Sequence, residues 1–142
     1  MSTEVVVDAS VWVSWLITED TNHNASRHWM TQYLIAGGLL ITPTFLLIEV
    51  AATISRRTGQ TALVQQTINK LNAINAMRLV PMDFTLVQIG IVVATNTRLR
   101  AGDATYTAAA YQLGVPLLSW DKEQLQRASN IVKTYSPATY PF

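Results

Sequence analysis

The chain has 142 residues, of which 49% are hydrophobic and only 13% charged, a balance that excludes a disordered polypeptide and fits one globular core. The absence of cysteine excludes disulfides, zinc–thiolate sites and thiol nucleophiles together. A formal net charge of +1, from ten basic and nine acidic residues, excludes an overall basic field, so contacts with phosphates must rest on local clusters such as Arg56-Arg57 and Arg98/Arg100.

The first residues, Ser2, Thr3 and Glu4, lack the basic opening of a secretion signal, and the expected location is the cytoplasm. Val5-Val6-Val7 is a β-branched run that reads as a buried strand ending at Asp8. A helix is expected from about Ser10, carrying Val11, Trp12, Trp15 and Leu16, and a second from about Asn24 to Ile35, closed by Gly37-Gly38. Leu39-Leu40-Ile41 reads as the next strand. Thr42-Pro43 then predicts a helix start, with a hydroxyl cap and proline at the first helical position, the helix running to about Arg57 and stopping at Gly59. The apolar stretch from Leu39 to Ile54 is interrupted by Thr42, Pro43, Thr44 and Glu49, too soon for the roughly 20 apolar residues of a membrane span.

From Thr61 to about Ala76, Leu63, Val64, Ile68, Leu71 and Ile74 share one helical face, opposite Gln65, Gln66, Asn69 and Asn72. Arg78-Leu79-Val80 predicts a short strand, and Phe84 to about Thr97 a helix rich in Ile and Val. Asp103 to Leu113 predicts an alanine-rich helix stopped by Gly114 and Pro116, its small side chains letting it lie close to a sheet. Leu117-Leu118 reads as a strand, Asp121 to Ala128 as a helix, Ile131-Val132 as a last strand, and residues 136–142 as an irregular tail. Alternating strand and helix signals indicate a parallel α/β sheet in a single domain. The mean hydropathy of +0.20 predicts that a second subunit or partner covers part of the apolar surface.

With nine acidic residues in the chain, their positions carry information. Asp8 and Asp121 follow predicted buried strands, and in an open parallel sheet ligands bind beyond the carboxyl ends of strands. Asp103 opens the alanine-rich helix. Each aspartate also has a plainer reading as a helix cap, and Asp121 with Gln124 matches a capping box. Glu49 does not: it stands two turns into its helix, where residues 45–52 are otherwise apolar, leaving an exposed surface position as its plainer reading. Four carboxylates gathered together would suit a hard cation such as Mg²⁺ or Mn²⁺. Two carboxylates about 5 Å apart repel by roughly 3 kcal/mol at an effective dielectric near 20, so several pairs would tax a fold stable by about 10 kcal/mol unless a dication offsets them. The remaining acids, Glu4, Glu19, Asp20, Asp83 and Glu123, are expected in turns or at helix starts, in solvent.

The blocks Val7-Asp8-Ala9-Ser10, Leu47-Ile48-Glu49-Val50-Ala51, Arg100-Ala101-Gly102-Asp103-Ala104 with its continuation to Leu117, and Leu118-Ser119-Trp120-Asp121 resemble, in order and spacing, the motifs of PIN domains. Length and style are similar to the toxins of VapBC toxin–antitoxin pairs. The resemblance implies a three-layer α/β/α sandwich with a central parallel sheet, and Mg²⁺- or Mn²⁺-dependent cleavage of RNA. Asp8, Glu49, Asp103 and Asp121 would be its metal-site acids, with Ser10 and Ser119 bonding to a carboxylate or water. It also implies a homodimer inhibited by a cognate antitoxin. Two further readings remain open: a PIN nuclease of RNA maturation without antitoxin, and a catalytically silent PIN scaffold.

Arg98, Arg100 and Lys122 flank the acids and are candidates for phosphate contacts, or else solvated helix ends. His23 and His28 lie far from every motif acid. Trp12, Trp15 and Trp29 are read as packing rather than base-stacking residues. The chain lacks a glycine-rich phosphate loop, which argues against use of ATP or NAD.

Overall fold

The computed structural model describes residues 3–142. They form five strands and seven helices: β1 (Glu4–Val7), α1 (Ala9–Leu16), α2 (His23–Ile35), β2 (Leu39–Pro43), α3 (Phe45–Thr58), α4 (Thr61–Asn72), β3 (Met77–Val80), α5 (Phe84–Thr97), α6 (Ala101–Leu113), β4 (Leu117–Leu118), α7 (Lys122–Ala128) and β5 (Thr134–Tyr135). Every strand pairing is parallel and the sheet order is β3-β2-β1-β4-β5. This is the α/β/α sandwich expected from the sequence. Helices α1 to α4 pack among themselves and α5 packs on α6, as right-handed crossovers on either side of β1 require.

The sheet centre is the driest part of the molecule. Val6 pairs with Ile41 on one side and Leu117 on the other, and Val5, Val7, Leu40 and Leu118 are likewise fully buried. A parallel sheet covered on both faces demands such unbroken apolar strands. On α6, Ala104, Ala108, Ala109 and Ala110 are buried and let the helix rest on β1 and β2. At the far edge Tyr140 packs edge-on to Trp29 and Tyr33, whose rings stack at 4.6 Å, so the segment after β5 closes over α2 without helix or strand of its own.

Four local expectations are corrected. Thr42 and Pro43 extend β2 instead of starting a helix; α3 begins at Phe45. Leu39 N donates toward β1 (Thr3 O) and Leu40 N toward β3 (Ala76 O), so by alternation Pro43 turns its missing N–H toward Val7 of β1. The Trp12 indole N–H donates to Val7 O instead, at 3.2 Å, so proline costs the ladder nothing there. Helix α4 stops at Asn72 rather than Ala76: Ile74 N turns back to Leu71 O and Met77 N to Ile74 O, which leads the chain into β3, where Ala76 O accepts Leu40 N. Ile131 and Val132 are not the last strand: both amides donate back to Ala128 O at the end of α7, and β5 forms at Thr134–Tyr135 instead. Glu4 lies in β1, half-buried and 3.6 Å from Arg78, not in a solvated turn.

Candidate metal centre

From β1 the chain winds outward through β2 and β3, then returns to the other side of β1 with β4. The crevice between the carboxyl ends of β1 and β4 is therefore the switch point where such sheets bind ligands. Asp8 follows β1 directly, its amide donating to Leu118 O at 3.0 Å. Ser119 and Asp121 follow β4.

Asp8 is 4% exposed. Three donors converge on its Oδ2: Ser10 N at 3.1 Å, Ser10 Oγ at 2.7 Å and Ser119 Oγ at 3.0 Å. The first of these caps α1, so the capping reading of Asp8 is correct, and capping leaves Oδ1 out of the three contacts. Burial pushes the Asp8 carboxyl above its ordinary range, against the pull of these hydrogen bonds. Ser119 is the hub. Its Oγ lies 3.1 Å from Gln124 Oε1 and 3.3 Å from Ser10 Oγ, and it accepts Asp121 N at 3.0 Å. Ser10 Oγ in turn accepts Trp120 N at 2.9 Å, tying the ends of β1 and β4 together.

Glu49 comes from α3 and is half-buried, which corrects the exposed-surface reading. Its Oε1 accepts the Tyr106 hydroxyl at 2.8 Å, across 57 positions of sequence. Desolvation raises the Glu49 carboxyl, the Tyr106 hydrogen bond lowers it, and the charges of Asp8 and Asp103 raise it again. Tyr106 is itself pushed far up by burial and by Glu49 beside it, so it stays a proton donor. Gly102 makes the approach of α6 to α3 feasible: a Cβ there would lie 3.2 Å from the Phe45 ring and 3.3 Å from Glu49 Oε1.

Asp103 stands in the first turn of α6, which begins at Ala101 with Arg100 at the cap position, two residues earlier than expected. The capping reading of Asp103 thus fails. Desolvation, then the charges of Asp8 and Asp121, push its carboxyl up to about 6, with Arg100 opposing. Asp121 does cap α7, accepting Gln124 N at 3.1 Å. Gln124 does not complete a capping box: its side chain, fully buried, donates to Asp103 O at 3.3 Å and meets Ser119 on its other side. Arg100 reaches across both acids, with Nε 3.6 Å from Asp103 and a terminal nitrogen 3.6 Å from Asp121.

The structure therefore brings Asp8, Glu49, Asp103 and Asp121 to one crevice, with Ser10 and Ser119 holding Asp8. They meet pairwise: among the described residues no three acidic or histidine side chains are drawn into a closed metal cluster. Of the basic candidates only Arg100 touches the acids. Arg98 ends α5 in a left-handed turn (φ 59°) and Lys122 is an exposed first residue of α7. His23 bonds to Ser14 O, away from the site, while Trp12 and Trp29 are core residues. Sequence reasoning missed Tyr106 and the roles of Gly102, which it named only within a motif, and of Gln124. Tyr106 was within reach, since it sits one helical turn after Asp103 and so shares its face.

The chain matches the PIN domain family model over residues 5–130. It belongs to the PIN domain family. No curated protein matches its sequence. Among solved structures this PIN domain resembles VapC20 of Mycobacterium tuberculosis, described as a sarcin-ricin loop cleaving toxin, at 18% identity and TM-score 0.71 over 91% of this chain and 97% of that one. It also resembles FitAcB from Neisseria gonorrhoeae at 13% identity and TM-score 0.74, covering 96% and 99%. VapBC2 from Rickettsia felis, bound to a fragment of its promoter DNA, gives 9% identity and TM-score 0.72, covering 94% and 98%. Likeness at these identities establishes the fold.

Proposed function

We propose that this PIN domain is a metal-dependent endoribonuclease and the toxin of a toxin–antitoxin pair, acting in the cytoplasm. The observation that carries the reading is the convergence of four carboxylates from separate elements on the switch point, with Asp8, Glu49 and Asp103 all held above their ordinary protonation range. Carboxylates so placed want a cation. An all-oxygen donor set fits Mg²⁺ or Mn²⁺, with Asp8, Glu49, Asp103 and Asp121 as holders.

When bound, a divalent cation supplies Lewis acidity toward the phosphodiester and the attacking water. Water adds to phosphorus, the P–O bond to one ribose oxygen breaks, and the water's proton ends on the departing oxygen. The chain's share is positioning: Ser10 and Ser119 fix Asp8, Tyr106 fixes Glu49, and Gln124 fixes the first turn of α6. Held carboxylates need no reorganisation as charge builds on the phosphate. An antitoxin partner is supported by the toxin–antitoxin complexes among the structural neighbours. A homodimer is supported by α5, a helix free of charged residues that exposes Phe84, Val87, Ile91 and Val92.

Thermal unfolding in EDTA, Mg²⁺ and Mn²⁺ tests the site, and cleavage of single-stranded RNA tests the activity. Mn²⁺ is expected to raise the melting temperature of the wild type and much less that of Glu49→Gln, and Asp8→Asn to abolish cleavage. The competing reading is a catalytically silent scaffold, in which the four acids hold no cation. No thermal response to either ion and no cleavage would establish that reading.

A further inference from the structure

A groove of about 290 Å³ runs between α1 and α3, lined by Ala9, Ser10, Val13, Thr53, Arg56 and Arg57. It adjoins the acid crevice through Ser10, whose Oγ donates to Asp8 Oδ2 at 2.7 Å. Along α3, Thr53 and Arg56 follow Glu49 by four and seven residues, so the three share one face. Seven residues at ~1.5 Å each set Arg56 about 10 Å beyond Glu49. Arg57 is engaged, 3.9 Å from Asp20. Arg56 is exposed and makes no ion pair among the described residues. Arg100, the basic residue at the acids themselves, already faces Asp103 and Asp121.

A polyanion crossing four carboxylates needs positive charge close by that those carboxylates have not neutralised. The α3 dipole favours arginines in its last turn, and Arg56 stands there free of any ion pair among the described residues, in a groove that shares Ser10 with the acid site. We propose that this groove is a subsite for the RNA backbone, in which Arg56 binds a phosphate adjoining the scissile one. The inference rests on the ribonuclease reading. A guanidinium forks onto phosphate oxygens, a contact that positions the strand without reading its bases. A small groove edged by hydroxyls suits a phosphate and its ribose better than the apolar anchors of a docked helix.

The test is binding of a fluorescein-labelled, mixed-sequence single-stranded RNA in Ca²⁺ across a salt series, with cleavage in Mn²⁺ followed separately. Arg56→Gln is expected to weaken binding about tenfold, the worth of one charge-assisted hydrogen bond. It should also flatten the slope of log K against log salt by about 0.7, one phosphate contact on a single strand. Arg56→Lys should keep most of that slope, and the thermal shift with Mn²⁺ should stay as in the wild type. Wild-type binding that Arg56→Gln leaves unchanged in strength and slope overturns the proposal and gives the groove to a protein partner. Absence of any RNA binding by the wild type overturns it too. Arg56-dependent binding without cleavage keeps the subsite while the nuclease reading falls.

Discussion

The two halves of the acid crevice are built on different principles. Asp8 is 4% exposed and its charge is met by neutral donors, the two serines, in a net that also closes the sheet. Asp103 and Asp121 have side chains 20% and 29% exposed, and a solvent-facing cation meets theirs: Arg100, itself 82% exposed. Glu49 stands between these cases, with one fixed donor in Tyr106. Hydroxyls satisfy a carboxylate without neutralising it, so the buried half keeps its demand for a cation. The exposed half has that demand partly met. The difference separates a rigid wall, which fixes Asp8, from an adjustable wall, whose charge an exposed arginine already meets in part.

The rigid wall should break hardest. Ser119→Ala removes the hydroxyl shared by Asp8, Gln124 and the Asp121 amide, all inside the fold. Leaving such groups unpaired costs about 1–3 kcal/mol each before relaxation, and loss of a residue that orients a metal ligand typically costs 10–100-fold in affinity or activity. Urea unfolding and Mn²⁺ titration of Ser119→Ala should both show large losses. A variant with wild-type stability and metal affinity would mean that the hub is not needed to hold Asp8.

Much of the fold and the position of the acids was legible in the sequence, and the illegible part has a common cause. Val5-Val6-Val7, the apolar face of α4 and the stops at Gly59 and Gly114 are local signals, and the structure follows them. Asp8 and Asp121 were found because a residue after a buried strand has nowhere to go but the sheet end. The errors came where a distant partner decides. Pro43 reads as a helix start until β3 pairs with it and Trp12 covers Val7. Ile131-Val132 reads as a strand until both amides fold back onto α7. Tyr106 shares a helical face with Asp103, but its partner Glu49 stands 57 positions away, and no spacing rule pairs those two.

Proton binding gives the intermediate effect. The folded Asp103 carboxyl is pushed up to about 6, above its ordinary 3.8, and Asp8 and Glu49 move in the same direction. Between those values the folded protein holds more protons than the unfolded one, so its stability falls as pH rises. In EDTA the melting temperature should therefore be higher near pH 5 than near pH 7.5. A dication supplies at high pH the neutralisation that protons supply at low pH, so saturating Mn²⁺ should narrow or reverse the gap. A flat or rising profile in EDTA would show that burial and the neighbouring charges do not hold these carboxyls up as placed.

The smallest effect belongs to the adjustable wall. Arg100→Gln removes a cation held at 3.6 Å from two acids, on a side chain mostly in solvent. Such pairs contribute about 0–1 kcal/mol, so the stability of the metal-free protein should fall slightly at pH 7.5 and less at pH 5, where Asp103 is protonated and the pair with Asp121 is left. The sign should reverse with metal present. Arg100 and the dication compete for the same two carboxylates, so the variant should bind Mn²⁺ a few-fold more tightly in calorimetric titration, the reverse of Ser119→Ala. Weaker binding by Arg100→Gln would make the arginine a support of the site rather than a rival for it, and the division into a rigid and an adjustable wall would fail.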